Sequence, residues 1–354
     1  NETSGTGHLI LRADQNVEMV DNSTATTTFN ANSGKLDITI NADRNQDEEG
    51  AVVIKDTDIT TGGGDLVIGG GSDPLNTAAH GFSGNKEGVK ISNTDIAAGT
   101  GHTSVKGAGF DNPGTNGNHG IFFNNVNYIG SGEITMTGTG GEGDRNNKGV
   151  RLLGFSPTTS GDIKVTGFAG GINPANSDQD NSGIEWRISD NITMKGEADI
   201  ILDGQAINKN NDNTAAVDFT RNTDVTFEDG TFNITAKAKG PGNGIRGISL
   251  KGTSIRATGE GNINMTADVS GNNTNTGILL SPRFGNDPFF IQTNNGDINL
   301  TARGAPALGI RMISNRDSFN NVTPVPEDPR IESTGSGSIT LEAQNASGTD
   351  IILK

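Results

Sequence analysis

Seven residues, Gly296-Asp297-Ile298-Asn299-Leu300-Thr301-Ala302, limit what this chain can fold into more than any other feature. They alternate polar and apolar, which puts Ile298 and Leu300 on one face of a strand and Asp297, Asn299 and Thr301 on the other. The phrase recurs along the chain. Close copies begin at Gly34, Gly64, Gly132, Gly161, Gly230, Gly261 and Gly337, and looser ones at Gly7, Gly101 and Ala198. The steps between successive starts run from 27 to 41 residues. A strand repeated at a period of about 30 residues, with a variable remainder, describes a solenoid in which each unit buries its apolar face against its neighbours.

A second phrase follows the first in each repeat: Gly, then Val or Ile, any residue, then a large apolar one. Gly88-Val89-Lys90-Ile91, Gly149-Val150-Arg151-Leu152 and Gly183-Ile184-Glu185-Trp186 are examples, with Trp186 at the core place. A shorter apolar mark comes third, at Ile59, Ile96, Ile129, Ile192, Val225, Ile255, Ile291 and Ile331. These marks predict an all-β chain: a right-handed parallel β-helix of about eleven coils, three strands per coil, forming a single segment over 1–354. The 11 prolines are expected between strand phrases, where no ladder hydrogen bond is lost. Two residues past the large apolar place stand Asp56, Asn93, Asn125, Gly154 and Gly252. All are types that tolerate positive φ, so a stacked row of left-handed turn residues is expected.

Only 31% of residues are apolar, low for a compact globule but sufficient for a narrow shaft. The net charge of −16 argues against nucleic acid and anionic membrane surfaces, which need clustered Lys and Arg. Without cysteine there are neither disulfides nor thiolate metal sites. No apolar run approaches the roughly 18 residues of a membrane span. The chain begins at Asn1 with no leader, as expected of a mature form or an internal piece of a longer protein.

The Gly-Asp-Ile-x-Leu-Thr-Ala and Gly-Ile-x-Leu phrases resemble the passenger domains of two-partner-secretion exoproteins of Gram-negative bacteria, the filamentous haemagglutinin and HMW-type adhesins. The resemblance covers roughly residues 5–354. It implies a β-helix secreted through an outer-membrane transporter partner, presented at the cell surface, and engaged in adhesion and virulence by binding host-cell glycans or glycoproteins. The family's N-terminal secretion domain carries an Asn-Pro-Asn-Gly type motif. This chain has only Gly171-Ile172-Asn173-Pro174-Ala175.

Variable connections carry chemistry more often than stacked ladders do. Those at 71–87, 108–119, 167–182 and 204–214 are long and should leave the rod along one ridge; a second cluster, 281–290 and 313–330, leaves another corner. Glycan recognition calls for amides, carboxylates or Arg to hold hydroxyls and acids, and for aromatic surface. The ridge offers His80, Phe82, Lys86, Phe110, Asp111, Asn112, His119, Arg145, Lys148, Asn173 and Asp178, and Phe122 should point outward beside it. Arg151 and Glu185 should pair across the ladder as a surface ion pair, worth ~0–1 kcal/mol.

Because β-helices also house polysaccharide lyases and hydrolases, an enzyme is the alternative, and a structural spacer in a fibre is the third reading. The best outward carboxylates are Asp58 and Asp95, stacked about 5 Å apart, a spacing suited to Ca²⁺ or to a shared proton. No catalytic residue is assigned, and no cofactor is expected beyond that ion. The acidic connection Asp43, Asp47, Glu48 and Glu49 lacks regular Ca²⁺-loop spacing and reads as a surface turn. Of nine Asn-x-Ser/Thr sequons, Asn272 and Asn321 lie in loops and are the better glycosylation acceptors.

Overall fold

The computed structural model describes residues 5–353 apart from 22–26, 32–33, 172–179, 188–190, 208–213, 241–243, 272–274, 283–288, 305–306, 314–329 and 345–348. Among the described residues there is no helix, and the strands form two sheets. Every copy of the first phrase lies on the path of the first sheet, which runs over eleven strands from Thr6–Arg12 to Ile339–Gln344. Pairing is parallel and in most coils in step with the sequence repeat: Ile134 opposes Ile163, Ile163 opposes Ile200, and Ile298 opposes Ile339. The phrase read from Gly34 is the exception, since Leu36, two residues later, stands opposite Gly7. The chain is a parallel β-solenoid.

The second and third strand phrases share one sheet. Val89–Gly99, Ile121–Gly130, Val150–Thr159 and Arg246–Ala257 each run through both phrases without a break. The corner between them is a bend inside the strand. Asp56, Asn93, Asn125, Gly154 and Gly252 carry it, with φ of 53°, 50°, 57°, 69° and 61°. Side-chain amides then tie one bend to the next: Asn93 Nδ2 donates to Asp56 Oδ1 at 2.9 Å, and Asn125 Nδ2 to Asn93 Oδ1 at 3.1 Å.

Inward residues line a shaft that is buried at every strand over about eight turns, from Ile38 to Ile291. The count is smaller than the expected eleven, and the two end coils, with a neighbour on one side only, are less well covered. Leu9, Leu11 and Met19 at one end, and Leu341 and Ala343 at the other, are only partly buried. Aromatic side chains fill the middle: Phe123 and Phe155 lie 5.4 Å apart, Phe155 and Trp186 5.8 Å, and Trp186 and Phe219 5.7 Å. Trp186 is fully buried, as its place in the second phrase predicts.

The Gly-Asp of the founding phrase is explained by stacking. A β-carbon at Gly132 would lie 2.0 Å from the carbonyl oxygen of Gly101, and one at Gly296 would lie 1.9 Å from that of Gly261. Glycine holds this close approach in most coils, with Leu36 and Ala198 taking the place in two. The residue at the next place in the ladder, which is Asp37 after Leu36 in the second coil, caps the coil above. Asp65 N–H donates to Asp37 Oδ1, Asp199 N–H to Asp162 Oδ1, Thr231 N–H to Asp199 Oδ1, and Ser338 N–H to Asp297 Oδ1.

Two local expectations fail. Ile129 is 64% exposed, because Tyr128 opposes Ile96 and so holds the inward place; the third mark falls one residue earlier in this coil. Pro157 lies within the strand Val150–Thr159, opposite Tyr128, and not between strands.

Candidate functional site

The connections 71–87 and 108–119 leave the corner before the second sheet, as the phrase spacing predicts, and they stack on one another and on residues 141–145; most of 167–182 and 204–214 lies outside the described residues. Phe110 N–H donates to Lys86 O, Asn112 N–H to Glu142 O, Asp144 N–H to Thr115 O and Gly141 N–H to Asn118 O. His80, Phe82, Lys86, Phe110 and Asn112 are half-buried in this layer, whereas Asp111 and Arg145 are exposed. Lys86 Nζ reaches Asn116 O at 3.4 Å, and Asn116 bridges to Arg145, so these residues share one flank. Asn173 and Asp178 lie outside the described residues, as do the sequons at Asn272 and Asn321.

Where these connections enter the second sheet, an Asn two residues before the Gly ties coil to coil. Asn118 N–H donates to Asn147 Oδ1 at 3.0 Å, and Asn147 N–H to Asn181 Oδ1 at 2.6 Å. This ladder carries the residue after each Asn into the protein. His119 and Lys148, expected as exposed ligand contacts, are therefore buried at 2% and 0% exposure. Lys148 Nζ donates to Asp180 O at 2.8 Å and lies 3.2 Å from Asp180 Oδ2 and 3.7 Å from Glu185 Oε2. It is a structural counter-ion. His119 Nδ1 accepts the Lys148 N–H at 3.2 Å, so its hydrogen sits on Nε2. The 3.2 Å approach of Arg151 Nη1 to Nε2 is then a packing contact. Burial, with the like charges of Arg151, Lys148 and Lys90 adding to it, holds this imidazole well below its usual range and hence neutral.

Beyond this corner, outward residues of successive coils form one row: Lys90, Phe122, Arg151, Glu185, Asp218 and Ser249. Phe122 points outward and is half-buried, with Lys90 Nζ 5.8 Å and the Arg151 guanidinium 5.4 Å from its ring centre and His119 tilted against it at 5.6 Å. Arg151 does pair with Glu185, at 2.8 Å. That pair is not a surface one, because Glu185 is 3% exposed. Asp218 is buried as well, with Lys251 Nζ 3.9 Å away, and burial pushes its carboxyl up from the usual range. The row thus opens as a half-exposed cation–aromatic–cation run and closes as a buried charge network. Neither the network nor the burial of Lys148 is visible in the repeat pattern, since alternation assigns Arg151, Glu185 and Asp218 to solvent and Lys148 lies in the connection before its strand.

The other carboxylate candidates accept from a neighbouring side-chain amide, serve the backbone or stand apart. Asp95 accepts from Asn127 Nδ2 at 2.7 Å, and Asp58, on the neighbouring rung, is half-buried. In the acidic connection Asp43 Oδ1 accepts Asp47 N–H and Asp47 Oδ1 accepts Glu49 N–H, as a tight turn requires. Among the described residues no group of three His, Asp or Glu is arranged to hold a metal ion. No family model, no curated protein and no solved structure matches the chain.

Proposed function

We propose that this chain is a non-enzymatic binding segment of a bacterial surface adhesin: a stiff acidic solenoid, exported through an outer-membrane transporter, whose loop-bearing flank holds host-cell glycans or glycoproteins. The observation that supports it best is the Lys90–Phe122–Arg151 run at the root of the stacked loops. An outward aromatic flanked by cations, in a chain of net charge −16, offers a sugar both a ring edge and hydrogen-bond donors. The uneven loops speak for a binding segment over a plain spacer, which has no need of them. The adjacent carboxylates Glu185 and Asp218 are what favour a polysaccharide-active enzyme. Both are buried, and Glu185 is held by Arg151 and Lys148, so neither is presented to a polymer for proton transfer.

The test is a glycan array and an epithelial-cell binding assay with the purified chain, with and without chelator, beside Phe122→Ala. Binding that falls about tenfold or more in the variant, survives chelation and releases no sugar from acidic polysaccharides is the expected result. Failure of the parent chain to bind any glycan or cell would overturn the reading in favour of a spacer. Released oligosaccharide would overturn it in favour of an enzyme.

A further inference from the structure

A separate cleft lies on the outward face of the third-strand rungs, away from the Phe122 row. It is a half-open depression of about 250 Å³, lined in part by Asn191, Asp224, Thr226, Ser254, Arg256 and Phe290. Its origin is a change in side-chain size along one ladder. Asn191, Asp224, Ser254 and Phe290 occupy the same place on successive rungs. Ser254, short and 4% exposed, forms the floor between the longer side chains on either side. Asp224 and Asn191 are exposed on one wall; Phe290 and Arg256 make the other.

Arg256 decides what this cleft accepts. Its guanidinium is stacked on Phe290, 4.8 Å from the ring centre, and among the described residues it forms no ion pair. Stacking orients a guanidinium while leaving its edge N–H groups free to hold a planar carboxylate through two parallel bonds. Arg330, 5.6 Å from the ring centre, also lies over Phe290, but it is paired with Glu332 at 2.8 Å. Asp224 and the Asn191 carbonyl supply acceptors for hydroxyl groups, and Thr226 adds a hydroxyl. With guanidiniums over its ring, Phe290 has little bare face for an apolar ligand. A carboxylate in the same cleft disfavours ligands of higher negative charge, such as phosphate esters. The volume is below the ~300–1,000 Å³ of pockets for drug-sized molecules, so the fit is to one small unit.

We infer that this cleft is a subsite for a uronic acid residue, its carboxylate on Arg256 and its hydroxyls on Asp224 and Asn191. The inference deepens the glycan-binding reading, on which it rests, by giving that reading a second site and a sugar class. The test is titration of the full chain with sodium glucuronate and with glucose, followed by saturation-transfer NMR and calorimetry. Arg256→Gln, Asp224→Asn and the distant Arg12→Gln are run alongside, each checked for folding by circular dichroism.

Glucuronate is expected to bind at least about tenfold tighter than glucose. Arg256→Gln should erase that preference, Asp224→Asn should weaken both sugars, and Arg12→Gln should change nothing. No glucuronate binding, equal binding of the two sugars, or an unaltered preference in Arg256→Gln would each overturn the inference. Loss of glucuronate binding in Phe122→Ala but not in Arg256→Gln would overturn it while leaving the adhesin reading intact. Absence of all glycan binding on the array is the separate failure that removes that reading.

Discussion

At His119 a single ring is held between a backbone N–H and three cations, and its neutrality has a measurable consequence. In the unfolded chain the imidazole takes up a proton near 6.5. The folded chain resists that proton until a lower pH, because burial and the neighbouring positive charges both oppose it. Between those two values the unfolded state binds more protons, so acidification favours unfolding, by at most ~1.4 kcal/mol per pH unit for one such group. Replacing the ring with an uncharged amide that still accepts the Lys148 N–H removes this share of the pH dependence. Urea midpoints measured from pH 8 to pH 4.5 should therefore fall less steeply below pH 6.5 in His119→Asn than in the parent. Parallel curves would mean that the imidazole is solvated and titrates normally.

Between neighbouring coils the recurring Gly-Asp pair is a point of close approach, and its two members are separable by experiment. Gly132→Ala would force a methyl group to within 2.0 Å of the Gly101 carbonyl oxygen, so the coils must part locally. Overpacking of this kind costs roughly 1–3 kcal/mol. The phrase beginning at Ala198 already carries that methyl, at 4% exposure, so Ala198→Gly should shift the melting temperature far less than Gly132→Ala. Equal shifts would show that the Gly place is not sterically limited.

The repeat phrase and the positive-φ row were legible in the sequence because they depend on each coil's own residues stacked on the same residues of its neighbours. Asp56, Asn93 and Asn125 announce their turn by residue type alone. The burial of Lys148 and Glu185 was not legible. It depends on how loops of different coils pack over an outward face, and alternation within one strand is silent about that. The slip at Ile129 arose because Tyr128 and Ile129 are both apolar, so the pattern could not say which of two adjacent side chains turns inward.

Across the whole molecule, each coil gains its burial from the coils above and below, so stability should be graded along the rod and not uniform. The central turns have a continuous aromatic filling, Phe123–Phe155–Trp186–Phe219, whereas the inward side chains of the outer coils are only partly covered. Amide exchange in Thr6–Arg12 and Ile339–Gln344 should accordingly be faster than in Ile163–Phe168 under native conditions. The single Trp reports the middle of this gradient, since it is fully buried within the aromatic filling. Its emission should stay blue-shifted while the outer coils melt, so that unfolding followed by fluorescence lags unfolding followed by far-ultraviolet circular dichroism. Trp186→Ala, at a cost of roughly 3–5 kcal/mol for a buried aromatic, should weaken the central turns until they melt with or before the ends. Coincident transitions in the parent chain, with uniform exchange from end to end, would mean that the solenoid unfolds as one cooperative unit and that nearest-neighbour stacking does not set its stability.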